Sequence, residues 1–245
     1  MKALLLVGGL GTRLKQFTSG LPKPMAEVGG KPFLEYLIYQ LVNQGFRDII
    51  FCIGYLGDKI QRHFGNGDRW GVHIEYSWER ISLGTAGAIK LATKKFADQN
   101  FLVMNGDSLL IFNINKLIKF HQKKMAKATI ALLKVYNMKR FGKVEVNTEG
   151  EVLKFVEKGA IGKGVINGGV YVLNRKILNY IPGETECSLE SEVFPKLIGN
   201  GCYGMVVENA FFVDIGTPEA YRSIQEKTEE LFARLRLSKK RGCLC

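Results

Sequence analysis

The sequence has no hydrophobic run long enough to cross a membrane. Its longest uninterrupted apolar stretches, such as Ala3–Val7, are far shorter than the roughly 18 residues of a spanning helix. Met1 and Lys2 lead directly into a strand-like segment, without the pattern of a signal peptide. We therefore predict a cytoplasmic protein with no membrane partner.

Cysteine and histidine patterns typical of metal sites are also missing. The five cysteines, at positions 52, 187, 202, 243 and 245, form no C-x-x-C pair, and the three histidines are distant from them in sequence. This excludes a zinc site of the usual spacing and favours a reduced environment. The sequence also shows no Ser-His-Asp or Cys-His arrangement for nucleophilic catalysis.

Positive charge is in excess, with a net charge of +12. Such an excess is compatible with a nucleic acid, an anionic membrane surface or a phosphate-rich substrate. The lysines and arginines are spread along the whole chain, and they form no basic stripe with interleaved aromatic residues. We therefore expect phosphate-rich substrates and no nucleic-acid partner.

Strand-like and helical segments alternate over the first hundred residues. Helical spacing of apolar residues spans Pro32–Gln44, and the predicted strands are Lys2–Val7, Asp48–Ile53, Val72–Ser77 and Phe101–Asn105. This alternation predicts an α/β fold with a Rossmann-like central sheet, mixed but mostly parallel and flanked by helices.

Beyond residue 125 the pattern favours a mixed sheet. One helix is predicted near Leu189–Leu197, and another starts at Thr217-Pro218-Glu219 and runs to about Leu235. The predicted strands here are Ala128–Val135, Lys143–Val146, Val152–Glu157, Gly169–Leu173, Cys202–Glu208 and Phe211–Asp214. We expect a single domain over residues 1–237 and a short, basic, disordered tail over 238–245.

A predicted strand is followed directly by a glycine-rich turn in the segment Leu4–Leu14, LLLVGGLGTRL. Backbone amides in such a turn bind phosphate oxygens, and Arg13 can neutralise them. The turn lacks the Gly-Lys-Ser/Thr of a Walker A loop, and Leu14 stands where a dinucleotide fingerprint needs its third glycine. The alternative is a tight turn without a ligand. The candidate nucleotide-binding residues of this segment are Leu6, Gly8, Gly9, Gly11, Thr12 and Arg13.

Three charged side chains are candidates for catalysis and metal binding. Lys23 lies between two prolines, which would present its ammonium rigidly to a developing phosphate charge. Asp107 and Asp214 each follow an apolar strand, where open α/β sheets bind ligands and where carboxylates commonly hold Mg²⁺. Each residue alone is also compatible with an ordinary turn.

Weaker signals suggest contacts with a base and a sugar phosphate. The small residues of Leu83–Ala88, LGTAGA, would let a flat base lie against the backbone, and Glu79 could accept hydrogen bonds from the amino group of the base. The nucleotide candidates here are Glu79, Gly84, Thr85 and Gly87. Groups suited to a sugar phosphate occur in FVEK and INGG, at Glu157, Lys158, Asn167 and Gly169. Each motif alone is also compatible with a surface turn.

The motifs GGLGTRL, LPKPM, LGTAGA, NGD, FVEK, INGGVYVL and FFVDIGTPEAY follow one another in a single order across residues 4–221. This order closely resembles the sugar-1-phosphate nucleotidyltransferase family. The resemblance implies the fold of nucleotide-diphospho-sugar transferases and in-line transfer of a nucleoside monophosphate from a triphosphate to a sugar 1-phosphate. With NGD, INGG, SLESEVFPKL and a short carboxyl end, the chain most resembles the heptose 1-phosphate guanylyltransferase branch.

The resemblance also implies roles for the candidate residues. Arg13, Lys23 and Asp107 would be catalytic, and Asp107 and Asp214 would hold Mg²⁺. The sugar phosphate would be bound by Asn105, Gly142, Glu157, Lys158, Asn167 and Gly169. A homodimer is the candidate assembly.

The chain departs from the family pattern at two places, before LGTAGA and within INGG. The segment Glu79-Arg80-Ile81-Ser82 lacks the second carboxylate and the proline common in guanylyltransferases, and Gly168 replaces an alanine seen in many relatives. Alternatives are therefore a mannose 1-phosphate guanylyltransferase, or a uridylyl- or thymidylyltransferase for a hexose or muramic acid phosphate. A nucleotide-sugar-sensing regulatory subunit is the non-enzymatic alternative.

Overall fold

A computed structural model describes residues 1–9, 11, 14, 18, 20–136, 138, 140–156, 159, 162–183 and 185–237. The strands are β1 (Ala3–Leu6), β2 (Glu27–Val28), β3 (Lys31–Pro32), β4 (Asp48–Ile53), β5 (His73–Trp78), β6 (Asn100–Asn105), β7 (Ser108–Ile111), β8 (Ala128–Val135), β9 (Lys143–Val146), β10 (Val152–Val156), β11 (Gly164–Asn174), β12 (Cys202–Val206) and β13 (Phe211–Asp214). The α-helices are α1 (Phe33–Asn43), α2 (Gly57–Phe64), α3 (Gly84–Ala92), α4 (Ile114–Lys123), α5 (Pro218–Glu226) and α6 (Thr228–Leu235). Tighter or wider helical turns lie at Lys23–Met25, Asp68–Trp70, Thr93–Lys95, Arg175–Tyr180, Leu189–Val193 and Phe194–Leu197.

The chain divides into two compact units. The amino-terminal unit consists of Lys2–Ser82, Asn105–Ile111 and the chain from Phe211 onward. The central unit consists of Leu83–Met104 and Phe112–Ala210, together with Met1. The single domain predicted over residues 1–237 stays a prediction, and residues 238–245 lie outside the described part.

Parallel strands form the sheet of the amino-terminal unit. Strand β4 pairs in parallel with both β1 and β5, so that Ala3 lies opposite Ile49 and Asp48 opposite His73. Strands β7 and β13 form a separate antiparallel pair. Helix α1 is buried from Phe33 to Val42, which agrees with its nearly continuous apolar sequence.

Two helices follow β13, where the sequence predicted one. Thr217 caps α5 as predicted, since its hydroxyl accepts a hydrogen bond from the Ala220 amide at 3.3 Å. The chain bends at Lys227 before α6 begins. Helix α6 then packs on α1, where the rings of Tyr36 and Phe232 lie 6.2 Å apart. This packing buries the apolar face of α6 and stabilises the helix after the break.

Strand β11 organises the central unit. It pairs antiparallel with β6, β8 and β9, while β8 and β12 are parallel. Strand β11 is longer than the predicted Gly169–Leu173, and the predicted helix at Leu189–Leu197 is a π-helical turn followed by a 3-10 turn. The predicted α/β class with a mixed sheet is confirmed, with parallel pairing in the amino-terminal unit and mainly antiparallel pairing in the central unit. Among the described residues, no helix has the length and apolar character that crossing a membrane requires.

Candidate functional site

The glycine-rich turn begins where β1 ends at Leu6. The Val7 amide still donates to the Cys52 carbonyl at 3.0 Å, and the chain then leaves the sheet. A Cβ atom at Gly8 would lie 2.8 Å from a carboxylate oxygen of Glu79. Glycine at this position therefore lets the Glu79 carboxylate approach the backbone of the turn, whereas the space beside Gly9 is open to 4 Å.

The glycine-rich turn also contacts the loop that carries Lys23. Gly11 has a φ of +57°, and a Cβ atom there would lie 2.6 Å from the Cβ of Lys23. Both the backbone conformation and the close approach thus require glycine. The structure brings together two motifs that the sequence separates, while Thr12 and Arg13 lie outside the described residues.

Lys23 and Asp107 form an ion pair. Pro22 and Pro24 flank the lysine, which opens a short 3-10 turn. Its Nζ donates to Oδ2 of Asp107 at 2.6 Å, and 14% of the lysine side chain and 48% of the aspartate side chain are exposed. The ammonium is thus held in place, while the carboxylate keeps an open side for a ligand.

Asp214 lies beside the backbone of Asp107. The Ile215 amide donates to the Asp107 carbonyl at 2.9 Å, and the antiparallel pair of β7 and β13 places Asp214 opposite Ser108. The Asp214 carboxylate also accepts from the Gly216 amide at 2.9 Å. The backbones of Asp107, in the turn before β7, and Asp214, at the end of β13, therefore lie side by side.

These two carboxylates fit a Mg²⁺ ion. Mg²⁺ prefers hard oxygen ligands, and it is usually held by one or two carboxylates together with water and substrate phosphates. In the part of the chain that the structure describes, no cluster of three or more His, Cys, Asp or Glu side chains has a metal-binding arrangement. The carboxylate oxygens of Asp107 and Asp214 are donors of the kind that holds a magnesium ion together with substrate phosphates.

A backbone contact covers the start of the LGTAGA turn. Gly84 has a φ of +66°, and a Cβ atom there would lie 2.5 Å from the Cys187 carbonyl oxygen. That carbonyl also accepts from the Ala86 amide at 2.9 Å. The backbone of Cys187 therefore occupies the space where a side chain at Gly84 would lie, and the role of this turn in binding a flat base stays a prediction. At Gly87, a Cβ atom would lie 2.7 Å from the Cβ of Leu83.

Asn167 is held at both ends of its amide. Its Oδ1 accepts from the Gly169 amide at 2.8 Å, and its Nδ2 donates to the Tyr171 hydroxyl at 2.9 Å. Gly142 lies against the end of β10, where an added Cβ atom would be 3.0 Å from the Val156 carbonyl oxygen. Glu157 and Lys158 lie outside the described residues, and Asn105 belongs to the amino-terminal unit.

The motif order and the fold agree with one family of known proteins. The family described as Nucleotidyl transferase matches this chain over residues 2–230. The chain belongs to the nucleotidyl transferase family. The family predicted from the motif order is thus confirmed.

Relatives of this nucleotidyl transferase match nearly its whole length. It is 38% identical to the D-glycero-alpha-D-manno-heptose 1-phosphate guanylyltransferase of Aneurinibacillus thermoaerophilus, with 94% of this chain and 99% of the relative covered. It is 36% identical to the mannose-1-phosphate guanylyltransferase of Mycobacterium tuberculosis, with 89% of this chain but 62% of the relative covered. The crystal structure of HddC from Yersinia pseudotuberculosis complexed with GMP-PN has a TM-score of 0.82 and 35% identity, with 92% of this chain and 98% of that chain covered.

Two of the cysteines that the structure describes are poor candidates for nucleophilic catalysis. Cys52 is buried, and burial raises the pKa of its thiol, with the nearby Glu79 carboxylate raising it further. Burial likewise raises the pKa of Cys187. A thiol must lose its proton to attack, so a raised pKa makes both groups weaker candidates for a nucleophile.

Proposed function

We propose that this protein transfers GMP from GTP to D-glycero-D-manno-heptose 1-phosphate, releasing pyrophosphate and forming a GDP-activated heptose for surface polysaccharide synthesis. The observation that carries the reaction type is the cluster of Lys23, Asp107 and Asp214 beside the glycine-rich turn. A rigid ammonium and two carboxylates on neighbouring backbone segments suit phosphoryl chemistry, which depends on positioning and charge stabilisation.

In the proposed reaction, an oxygen of the sugar phosphate attacks the α-phosphorus of GTP. A new bond forms between this oxygen and the α-phosphorus, and the bond from the α-phosphorus to the bridging oxygen of the β-phosphate breaks. The amides of Gly8, Gly9 and Gly11, with Thr12 and Arg13, bind the triphosphate. Lys23, held by its prolines and by Asp107, stabilises the charge on the reacting phosphates.

Magnesium is the metal that we assign to Asp107 and Asp214. When bound there, Mg²⁺ supplies positive charge to the phosphate oxygens and lowers the cost of charge in the transition state. The protein contributes the two carboxylates, and the Ile215 amide and the pair of β7 and β13 hold the backbones of the two aspartates side by side.

Glu79 supports guanine as the base. Guanine presents an N–H and an amino group side by side, and one carboxylate can accept hydrogen bonds from both. Uracil and thymine present one N–H between two carbonyl oxygens, which a carboxylate would repel. The close approach of Glu79 to Gly8 leaves this carboxylate beside the proposed phosphate-binding turn. Glu79 therefore favours GTP, although the segment Glu79–Ser82 lacks the second carboxylate of many guanylyltransferases.

The names of the relatives support a heptose phosphate. The proteins of Aneurinibacillus thermoaerophilus and Campylobacter jejuni, named as heptose 1-phosphate guanylyltransferases, are 38% and 37% identical to this chain. The likeness to the Mycobacterium tuberculosis mannose-1-phosphate guanylyltransferase makes mannose 1-phosphate the second candidate. We also propose a cytoplasmic location and a homodimer, with no nucleic acid or membrane as partner.

A pyrophosphate-release assay tests this proposal. Purified protein is combined with each of GTP, ATP, UTP and dTTP, and with heptose, mannose, glucose and N-acetylmuramic acid 1-phosphates. We expect the highest kcat/KM for GTP with the heptose phosphate, and loss of turnover when EDTA removes Mg²⁺. Preference for mannose 1-phosphate would favour the second candidate, and no turnover with any pair would refute the enzymatic proposal in favour of a regulatory role.

A further inference from the structure

One carboxylate, that of Glu190, connects helix α3 and strand β11 of the central unit. Its Oε1 accepts from the Tyr171 hydroxyl at 2.9 Å, and its Oε2 accepts from the Thr85 hydroxyl at 3.0 Å. Thr85 lies in the first turn of α3, and Tyr171 lies on β11, four residues after Asn167. Glu190 itself belongs to the π-helical turn Leu189–Val193.

The chemistry of this network orients the amide of Asn167. An ionised carboxylate only accepts hydrogen bonds, so the Tyr171 hydroxyl must be the donor in its hydrogen bond with Glu190. Its oxygen is then an acceptor, and it receives the Nδ2 of Asn167 at 2.9 Å. Oδ1 of Asn167 therefore faces the Gly169 amide, which donates to it at 2.8 Å. The second N–H of Nδ2 and the second acceptor position of Oδ1 therefore each point in a defined direction.

Further bonds fix the carboxylate of Glu190. The Thr85 hydroxyl donates to Glu190 and also accepts from the Leu189 amide at 2.7 Å, so both its donor and its acceptor side are fixed. The ring of Tyr171 is buried and packs on Phe194 at 5.3 Å between centroids. Both ends of the connection to Asn167 are thus rigid, which is what precise positioning of a ligand-binding group requires.

We propose that Glu190 is a positioning residue of the sugar phosphate subsite, which acts through the Tyr171 hydroxyl to fix the direction of the Asn167 amide. This inference rests on the proposed function, because Asn167 is a candidate ligand of the sugar phosphate. Neither Glu190 nor Tyr171 has to touch the substrate. The network selects one amide orientation, and it thereby determines which sugar oxygen finds a donor and which finds an acceptor.

The Tyr171→Phe variant removes the hydroxyl and keeps the buried ring. We expect KM for the heptose phosphate to rise about fivefold to tenfold, the effect of one lost hydrogen bond, while KM for GTP changes less than about twofold. Tyr203→Phe is the matched control, because its hydroxyl also faces a glutamate, Glu151 at 3.5 Å, but on an exposed surface of the same unit. The control should leave both KM values unchanged.

Glu190→Gln and a double-mutant cycle separate positioning from simple stability. A glutamine has one acceptor oxygen and cannot accept from both hydroxyls, so we expect the same selective rise in KM for the sugar phosphate. In an Asn167→Ala background, Tyr171→Phe should add less than about twofold, because its target is already gone.

Two results would overturn the inference in an active enzyme. One is a Tyr171→Phe variant that matches the Tyr203→Phe control, and the other is a full effect of Tyr171→Phe in the Asn167→Ala background. If wild-type protein turns over no pair of triphosphate and sugar phosphate, the proposed function fails and this inference fails with it. The two failures are therefore distinguishable by the wild-type measurement.

Discussion

Replacing Lys23 with methionine should reduce turnover far more than it reduces stability. Methionine keeps most of the length of the apolar stem and removes the ammonium that lies 2.6 Å from Asp107. The two flanking prolines and the short turn that starts at residue 23 should hold the backbone unchanged. The perturbation is therefore confined to one charge and its hydrogen bonds.

The expected loss of turnover is larger than the expected loss of stability, because the Lys23 ammonium has different partners in the transition state and in the folded protein. Loss of a preorganised donor to a transition state typically costs about 10²- to 10³-fold in kcat, or about 2.7–4 kcal/mol. The partner carboxylate of Asp107 is half exposed, and such pairs contribute at most about 1 kcal/mol to folding. For a protein of this size, that loss would lower Tm by about 2–4 °C.

The assay combines pyrophosphate release with a thermal melt of the same preparation. Lys59→Met is the matched control, because the Lys59 ammonium also donates to a neighbouring loop, at 2.7 Å to the Gly20 carbonyl, but lies exposed. The control should retain full turnover. A Lys23→Met variant with turnover within about threefold of wild type would refute a role for this ammonium in stabilising the reacting phosphates.

Three further outcomes follow from base binding, backbone strain and a buried imidazole. Glu79→Gln should lower kcat/KM for GTP by about 10- to 100-fold, the cost of weakened hydrogen bonds to a charged group, and unchanged GTP kinetics would exclude this carboxylate from base binding. Gly84→Ala should destabilise the protein by about 1–3 kcal/mol in urea unfolding, because of its φ of +66° and the nearby Cys187 carbonyl, while Gly183→Ala, with open space around it, should have little effect. Burial lowers the pKa of His121 to about 4, below its ordinary value of 6.5. As pH falls, the imidazole is therefore protonated in the unfolded chain before it is protonated in the folded protein. Between pH 7 and pH 5, wild type should lose about 2 kcal/mol more unfolding free energy than His121→Gln. Equal losses in the two proteins would contradict a neutral buried imidazole.

The Lys23–Asp107 pair joins two local patterns that the sequence shows through a contact that the sequence does not show. Prolines around a single lysine, and an aspartate after an apolar strand, were each recognisable as local patterns. Their contact was not, since 84 positions separate them in the chain. The family resemblance supplied the shared role, and the structure supplied the hydrogen bond.

The Glu190 network shows where prediction from the sequence failed. Glu190 was visible only as part of the SLESEVFPKL stretch, which sequence periodicity assigned to a helix. The chain instead forms a π-helical turn there, in which Ser188 caps the turn through its hydroxyl and Glu190 accepts from Thr85 and Tyr171. Periodicity reports which face of a segment is apolar, and it carries no information on a partner 105 residues away.

The sequence by itself indicated the longer strands, the starts of α1 and α5 and the glycine-rich turn, because these depend on local periodicity, capping and backbone freedom. It did not indicate the short strands β2, β3 and β7. It also determined the family, through seven motifs in one order. Only the tertiary structure decided that Gly11 lies against Lys23, that Asp214 lies beside Asp107, and that the LGTAGA turn is covered by Cys187. These contacts join residues far apart in the chain, so their geometry depends on how strands pair and helices pack rather than on any local preference.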